Sequence, residues 1–328
     1  MSNPVLFAFL GDVSSDTLLQ ISSVINIISK TNFEQLDIFF SVGKSQLRSF
    51  QNPLNPDSSE EAEFQGLGYI LASLYYYNST NTSKSPLVPN VNVLWIEGSN
   101  YTSEQFKEIL ERPSFLVDFS EKHPDTEQKL EELSSKAKAK LTERLSQLPQ
   151  LCLFNGRLLH TAVGGTFDHI HFGHKLLLSM TAYSTSSVLT CGISSEPLLK
   201  NKKYKEYLEP FDIRSYNTLS YLKKVKKNLV FNIVPLEDPY GPIITNEKID
   251  SLVVSTETHI GIEQVNKIRA TKSMPPMEIH CISLVSDHIT PTFPSYSENI
   301  SDPSTPISDK ISSTEIRKNI HLSEHPEN

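Results

Sequence analysis

A short apolar run that ends in two adjacent glycines leads directly into a helical pattern, and this corner constrains the fold most. It occupies residues 164–175, GGTFDHIHFGHK, and combines the glycine pair with a hydroxyl and three histidines. A strand-to-helix corner leaves backbone N–H groups and a helix N-terminus available to an anion. The corner therefore predicts an α/β protein that binds a phosphate, and a reaction at phosphorus is the hypothesis that follows.

The rest of the second half alternates apolar runs with helical patterns. Such alternation predicts right-handed β-α-β units and a parallel sheet, whose ligands lie at the carboxyl ends of the strands. The glycine corner lies at such an end. The predicted strands are 161–163, 188–193, 229–235, 251–255 and 278–285, and the predicted helices are 176–182, 213–227 and 261–271.

The first half, residues 1–150, predicts a second α/β domain, which leaves residues 151–328 as the domain that carries the corner. The single tryptophan, Trp95, falls inside a predicted strand and is expected in the core. This half contains no glycine-rich phosphate loop, nucleophile motif or metal cluster. Its predicted strands are 5–10, 36–42, 91–96 and 115–119, its predicted helices are 17–28, 64–77 and 125–148, and a polar gap is expected at 78–86.

Charge and hydropathy exclude two classes of partner. Residues 1–150 carry 12 Lys+Arg against 19 Asp+Glu, a net charge of −7, and residues 151–328 carry 18 against 19, a net charge of −1. An acidic chain is a poor candidate for nucleic-acid binding, which favours a basic face. The absence of a long apolar run and of a signal-like start predicts no membrane span and a cytoplasmic protein.

The histidines of the corner suggest the chemistry. His171 and His174 are three residues apart at a helix start, so they share a face and can donate hydrogen bonds to phosphate oxygens. Two alternatives stay open. The three histidines could decorate an exposed turn, or Asp168 and His169 could join His171 and His174 as ligands of a transition metal.

A second polar cluster follows a Pro/Ser-rich loop at residues 287–310, which has no apolar period. Loops of that length are commonly lids, binding loops or insertions. The loop leads to ISSTEIR at residues 311–317, at a predicted helix start where hydroxyl groups can cap the helix and bind phosphate.

Together these motifs carry a resemblance. GTFD at residues 165–168 and HFGH at 171–174 resemble the signature of the nucleotidyltransferase superfamily that includes the class I aminoacyl-tRNA synthetases, and ISSTEIR resembles its second signature. Residues 163–318 most resemble the eukaryotic, fungal-like type of phosphopantetheine adenylyltransferase. GISSEPLLK at 192–200 and LEPFDIR at 208–214 are similar to that family's substrate-side segment.

The resemblance covers about half of the chain and implies a Rossmann-like parallel sheet in the nucleotidyltransferase domain. It also implies a reaction of coenzyme A biosynthesis, in which the phosphate of 4′-phosphopantetheine attacks the α-phosphorus of ATP. Dephospho-coenzyme A and pyrophosphate are the products. Mg²⁺ is carried by ATP and not by a metal site of the protein, and the enzyme acts by positioning and electrostatic stabilisation.

Roles follow from positions in the motifs. His174 is implied to bond the α-phosphate, His171 the neighbouring phosphate oxygens, and Thr166 to orient the attacking phosphate. Lys200 is implied to neutralise the two reacting phosphates, with Lys202, Lys203 and Lys205 as competitors. The implied ATP-binding set also includes Gly165 and Phe167, together with Ser312, Ser313, Thr314 and Arg317, which are expected to grip the β- and γ-phosphates.

Two departures bear on these roles. Bacterial members of the family have a threonine at the position of His171. They also have an arginine-bearing loop after the fourth strand, where this chain has residues 253–259, VVSTETH, so Ser255 or Thr258 could bond the nucleotide only weakly.

Several alternatives remain at this point. A cytidylyltransferase or a nicotinamide mononucleotide adenylyltransferase shares the corner, and a non-catalytic nucleotide-binding scaffold could retain both motifs. An aminoacyl-tRNA synthetase is disfavoured because the chain is short and acidic. The chain has no Gly-x-x-x-x-Gly-Lys-Ser/Thr loop for the kinase step that follows in coenzyme A synthesis, so a separate kinase is expected to catalyse that step. Residues 1–150 are therefore expected to serve assembly with other enzymes of the pathway.

Overall fold

A computed structural model describes residues 3–10, 35–42, 47, 59–82, 90–118, 138–139, 141–143, 145, 156–255, 263–282 and 312–325. The described residues form two compact units, one within 3–145 and the other within 156–325. Each unit is built on a parallel β-sheet with helices between the strands. The predicted α/β class is therefore confirmed for both halves of the chain.

The first unit has four parallel strands in the order β3-β2-β1-β4. One of the two inner strands is Val5–Phe9, VLFAF, and all five of its residues are buried. This is expected for a parallel strand that is covered on both faces. Its elements are β1 (Val5–Phe9), β2 (Gln35–Ser41), α1 (Ser59–Thr82), β3 (Asn90–Trp95), α2 (Ile96–Ser99), α3 (Ser103–Leu110) and β4 (Ser114–Asp118).

The strands of this unit lie close to where the apolar runs predict them, and Trp95 is only 1% exposed, which confirms it as a core residue. Helix α1 continues to Thr82, so part of the predicted polar gap at 78–86 is helical. Residues 78–82 contain neither glycine nor proline, the residues that interrupt a helix most strongly. The predicted helix at 17–28 lies outside the described residues.

The second unit has five parallel strands in the order β7-β6-β5-β8-β9. Two 3₁₀ turns, Lys205–Tyr207 and Gly241–Ile244, interrupt its connections. Its elements are β5 (Leu158–Gly165), α4 (Phe172–Ser184), β6 (Thr185–Ser194), α5 (Glu196–Leu199), α6 (Phe211–Val225), β7 (Val230–Leu236), β8 (Ser251–Ser255), α7 (Glu263–Thr271), β9 (Glu278–Ile282) and α8 (Ser313–Glu324).

The strand order places the glycine corner at the point where the chain changes the side on which it adds strands to the sheet. From β5, the chain first builds outward through β6 and β7 and then continues on the other side with β8 and β9. Ligands of open parallel sheets bind outside the carboxyl ends of the strands at such a point. Helix α4, whose residues 175–184 are all buried, packs against the middle of this sheet and fixes its own N-terminus at that edge.

The predicted loop at 287–310 lies outside the described residues, as does most of the predicted helix at 125–148, of which residues 138–139, 141–143 and 145 are helical. No helix in the described part of the chain is both long and apolar enough to cross a bilayer.

Candidate active site

The turn between β5 and α4 is shaped by a buried phenylalanine. Phe167 is fully buried and has a φ of 49°, and His169 has a φ of 45°, so two non-glycine residues adopt the left-handed conformation in this turn. A Cβ placed on Gly165 would lie 3.1 Å from the Phe167 ring. A side chain at position 165 would therefore require the ring of Phe167 to shift.

The start of helix α4 lies within the glycine corner. His171 is the N-cap residue, and its side chain makes no capping hydrogen bond. The first N–H groups of a helix have no partner within the helix, and together with the helix dipole they favour an anion. This end of the helix is therefore suited to a phosphate, as the sequence predicts.

His171 and His174 are brought together at this helix start. Their rings stack with centroids 3.9 Å apart, and the His174 ring lies 5.3 Å from the Phe167 ring. A Cβ on Gly173 would come within 3.2 Å of the His171 ring, so this glycine makes room for the imidazole itself.

His174 is held in its neutral form. Burial lowers the pKa of His174 well below its ordinary value, and the positive charges of His171 and Lys202 lower it further. Its Nδ1 atom is buried and has no hydrogen-bond partner among the described residues. A neutral imidazole carries one N–H, so His174 can donate one hydrogen bond to a phosphate oxygen without itself losing a proton.

The second motif lies directly against the corner. Ser313 Oγ donates to the backbone carbonyl of Asp168 at 2.8 Å. Ser312 is the N-cap of α8, and its Oγ accepts from the N–H of Glu315 at 3.2 Å. Two helix N-termini, those of α4 and α8, therefore flank one turn of the chain, although about 140 residues separate their motifs in sequence.

Arg317 has partners that the sequence did not predict. The residue is 1% exposed, and its Nη1 forms an ion pair with the fully buried carboxylate of Asp168. Nε donates to the carbonyl of Lys203 at 3.1 Å, and Nη2 donates to Thr314 Oγ1 at 3.2 Å. The predicted grip on the β- and γ-phosphates stays a prediction for this side chain, three of whose five N–H donors bond groups of the protein.

Arg214 fixes the position of Thr166. This buried side chain donates from Nη1 to the carbonyls of Thr166 at 2.7 Å and Ser194 at 3.0 Å, and from Nε to the carbonyl of Glu209 at 2.9 Å. It thereby joins the carboxyl ends of β5 and β6. The Thr166 side chain is partly exposed at that edge.

Glu209 supports the same turn from the other side. Its carboxylate accepts from the N–H of His169 at 2.6 Å, while its own N–H donates to Asp168 Oδ1 at 2.9 Å. Sequence reasoning missed Asp168, Glu209 and Arg214 as supports of the site. The only signal for the last two was the resemblance of the segment 208–214.

The four candidate lysines, Lys200, Lys202, Lys203 and Lys205, are all exposed. Lys200 follows α5 and stands close after the carboxyl end of β6. Lys202 is near enough to His174 for its charge to lower the pKa of that imidazole, and the carbonyl of Lys203 binds Arg317. The segment that carries these lysines is therefore attached to the second motif.

Two of the residues that the metal alternative invokes bond other groups of the protein. His169 Nε2 donates to the carbonyl of Tyr207 at 2.9 Å, and Asp168 is paired with Arg317, so both are engaged within the protein. Among the described residues, no cluster of three or more His, Cys, Asp and Glu could hold a metal ion.

Of the two residues predicted to bond the nucleotide weakly, Ser255 is buried at the end of β8, and Thr258 lies outside the described residues.

The region that contains this site is similar to a known family model and to known proteins. Residues 162–319, which include both motifs, match a family model described as cytidylyltransferase-like. A phosphopantetheine adenylyltransferase of Saccharomyces cerevisiae is 42% identical over 166 residues, covering 51% of this chain and 50% of the yeast protein. An uncharacterized protein of Schizosaccharomyces pombe is 39% identical over 160 residues, covering 49% and 48%.

An archaeal relative matches over more of its own length. A phosphopantetheine adenylyltransferase of Thermococcus gammatolerans is 33% identical over 129 residues, which are 39% of this chain and 80% of the archaeal protein. The chain thus spans about half the length of the fungal relatives that it matches and most of the archaeal one.

Proposed function

The chain belongs to the phosphopantetheine adenylyltransferase family, and we propose that it transfers the adenylyl group of ATP to 4′-phosphopantetheine. The products are dephospho-coenzyme A and pyrophosphate, in the biosynthesis of coenzyme A. The observation that carries this proposal is the contact between the two motifs, where Ser313 Oγ bonds the Asp168 carbonyl at 2.8 Å. It brings two helix N-termini, each suited to binding phosphate, to one edge of the sheet.

The reaction is an in-line displacement at phosphorus. An oxygen of the acceptor phosphate forms a bond to the α-phosphorus of ATP, and the bond from that phosphorus to the oxygen bridging to the β-phosphorus breaks. The electron pair leaves with pyrophosphate. Mg²⁺ enters with ATP as part of the substrate and neutralises phosphate charge, so the protein contributes position and hydrogen bonds.

The residues of the corner act at the α-phosphate. His174, neutral and partly enclosed, donates its N–H to an α-phosphate oxygen as negative charge builds there, and His171 binds the neighbouring oxygens. Gly165 and Phe167 shape the turn that presents them. Such a preorganised donor stabilises the transition state more than the ground state, because it meets the charge where that charge develops.

The acceptor phosphate is held by Thr166 and Lys200. Thr166 stands at the carboxyl end of β5, anchored through its carbonyl by Arg214. Lys200 approaches from the end of β6 and offsets the charge of two phosphates that must come together. Lys202 is the closest competitor for this role, since its charge already acts on His174.

The leaving pyrophosphate is held at the start of α8 by the hydroxyls of Ser312 and Thr314 and by the backbone of Ser313, whose own hydroxyl proton is donated to Asp168. Ser312 Oγ and Thr314 Oγ1 act as acceptors in their bonds to Glu315 and Arg317. A hydroxyl that accepts a bond keeps its own proton as a donor. Both can therefore donate to phosphate oxygens, next to the first N–H groups of the helix.

The experiment is an acceptor panel. Pyrophosphate release is measured with ATP or CTP and with 4′-phosphopantetheine, nicotinamide mononucleotide or a phosphorylated alcohol. We expect release only with ATP and 4′-phosphopantetheine together. Equal turnover with CTP, or with nicotinamide mononucleotide, would assign the site to the cytidylyltransferase or the other adenylyltransferase, and no turnover with any pair would favour the scaffold.

The first unit is proposed to serve assembly with other enzymes of coenzyme A biosynthesis. Its support is a compact fold of its own and a surplus of acidic residues, net −7 over residues 1–150. Removing residues 1–150 should abolish co-purification of such enzymes while pyrophosphate release persists. Unchanged co-purification would exclude this role.

A further inference from the structure

We propose that Asp168 and Arg317 are a positioning pair, which holds three substrate-facing segments in one arrangement, and that Arg317 acts on ATP through this arrangement. The inference rests on the proposed function. It concerns two residues that would each receive another role from sequence alone, Asp168 as a metal ligand and Arg317 as a direct phosphate ligand.

The guanidinium of Arg317 connects all three segments. Nη1 pairs with Asp168 in the glycine corner, Nε donates to the carbonyl of Lys203 in the lysine segment at 3.1 Å, and Nη2 donates to Thr314 Oγ1 at the start of α8 at 3.2 Å. A planar guanidinium is suited to several acceptors in one plane. An ammonium group is a point charge and cannot reproduce this fork.

Asp168 makes the corresponding connections from the corner. Its Oδ1 accepts from the N–H of Glu209 at 2.9 Å, its Oδ2 binds Arg317, and its carbonyl accepts from Ser313 Oγ at 2.8 Å. The exposed fractions are 0% for Asp168 and 1% for Arg317. The pair therefore lies beneath the two helix N-termini and not on the surface that a phosphate would contact.

The burial of Asp168 and Arg317 determines how the pair affects the stability of the protein. A buried ion pair contributes little net stability, because desolvation of both charges offsets their attraction, but an unpaired member is strongly unfavourable. The two residues therefore specify one arrangement more than they stabilise the fold. If either is changed, the corner, the lysine segment and α8 lose their common attachment, and the phosphates of ATP meet a displaced set of donors.

The two roles of Arg317 predict opposite effects of one variant. If Arg317 contacted phosphate directly, Asp168→Asn would release the guanidinium from its carboxylate and leave ATP affinity unchanged or higher. If the pair positions the segments, the same variant weakens ATP binding. Arg317→Lys keeps the charge but loses the fork, so it should weaken binding to a similar extent.

The test is calorimetric titration with Mg-ATP, without acceptor, on the full chain and its Asp168→Asn, Arg317→Lys and double variants. Lys318→Ala is the matched control, since Lys318 lies on the same helix in a half-exposed ion pair with Glu315 at 3.1 Å. We expect a loss of affinity of at least about tenfold for each single variant. The ATP affinity of the double variant should be no lower than that of the single variant that binds ATP more weakly, because the effects of coupled residues do not add.

The outcomes separate the inference from the function on which it rests. No ATP binding by the unchanged chain contradicts the proposed function. Binding by Asp168→Asn that equals or exceeds that of the unchanged chain, or losses that multiply in the double variant, overturns the positioning pair. The folded fraction is read by circular dichroism on the same samples, and a loss of binding that only follows a loss of folded protein overturns it as well.

Discussion

At the scale of single residues, the proposed site depends most on His174, whose ring is placed by its stacking on His171 at 3.9 Å. A hydrogen-bond donor that acts mainly on the transition state contributes to turnover and little to substrate binding. His174 and Asp168 therefore have distinct roles, one at the reacting phosphorus and the other beneath the surface that holds the phosphates.

Replacing His174 should separate turnover from binding. We expect His174→Ala to lower kcat about a hundredfold to a thousandfold, while the KM for ATP changes little. Steady-state kinetics of pyrophosphate release measure both constants. Unchanged turnover in this variant would contradict the catalytic assignment, and a matched Lys318→Ala variant should keep the original kcat.

The protonation state of His174 gives a second prediction at this scale. Because burial and the charges of His171 and Lys202 lower the pKa of His174, the imidazole of the ligand-free protein should stay neutral through pH 6.5 and below. The unfolded chain binds this proton more readily, so His174 opposes folding increasingly as the pH falls below about 6.5. Proton NMR of the histidine Cε1–H signals measures the titration, and a midpoint at or above the ordinary imidazole value would contradict the geometry.

Sequence reasoning could locate the donors but not their supports. The two motifs identify His171, His174 and Ser312 because their spacing around helix starts has local meaning. Asp168 and Arg317 are polar residues within the same motifs, and nothing local distinguishes a phosphate ligand from a buried partner. Their pairing depends on how α8 packs against the corner, across 149 residues of sequence separation.

At the scale of elements, the strand-to-helix turn after β5 is built around two adjacent glycines with different surroundings. A Cβ on Gly165 would lie 3.1 Å from the ring of Phe167, whereas a Cβ on Gly164 would lie 3.4 Å from Leu236 Cδ1, an ordinary contact. The ring of Phe167 in turn lies 5.3 Å from that of His174. A change at Gly165 is therefore transmitted to the imidazole.

These glycines provide a matched pair of variants. We expect Gly165→Ala to displace the Phe167 ring and lower turnover about tenfold, in line with the cost of a small misplacement of catalytic groups. Gly164→Ala should keep turnover within about twofold, because its Cβ meets only an ordinary contact. Pyrophosphate release by the two proteins measures the difference, and equal effects of both would contradict the packing described for this turn.

The strands were predicted better than the helices, and α3 (Ser103–Leu110) was not predicted. Apolar runs and helical periods identified the described strands of both sheets, because burial on both faces leaves a continuous apolar signal. The end of α1 at Thr82 was missed, since polar residues without glycine or proline are compatible with either a helix or a loop. The strand order within each sheet could not be read from the sequence, because it depends on which apolar faces meet.

At the scale of the whole molecule, the two units should respond differently to pH. Glu97, in the first unit, is 7% exposed, and burial raises its pKa to about 7, partly opposed by the hydrogen bond from Ser41 Oγ at 2.5 Å. Between about pH 4.5 and 7 the folded chain holds a proton that the unfolded chain has released. The stability of this unit should therefore fall as the pH rises through that window, by up to about 3 kcal/mol.

Hydrogen exchange tests this prediction within the full chain. Amides of β2 and β3 should exchange faster at pH 7 than at pH 5, after correction for the intrinsic rates. Amides of β5 and β6 should not, since the lowered pKa of His174 makes their unit less stable at the lower pH. Glu97→Gln should remove the difference, and Glu108→Gln, at an exposed position on α3, should retain it. The same pH dependence in the Glu97 variant would show that another group is responsible.

The central claim for the molecule is that it joins an adenylyl group to 4′-phosphopantetheine by attack of the acceptor phosphate on the α-phosphorus of ATP. Mass spectrometry of the products from ATP and 4′-phosphopantetheine labelled with ¹⁸O in its phosphate tests it most directly. We expect dephospho-coenzyme A that retains all of the label, together with unlabelled pyrophosphate. Labelled pyrophosphate, ADP as a product, or no adenylylated pantetheine would contradict it.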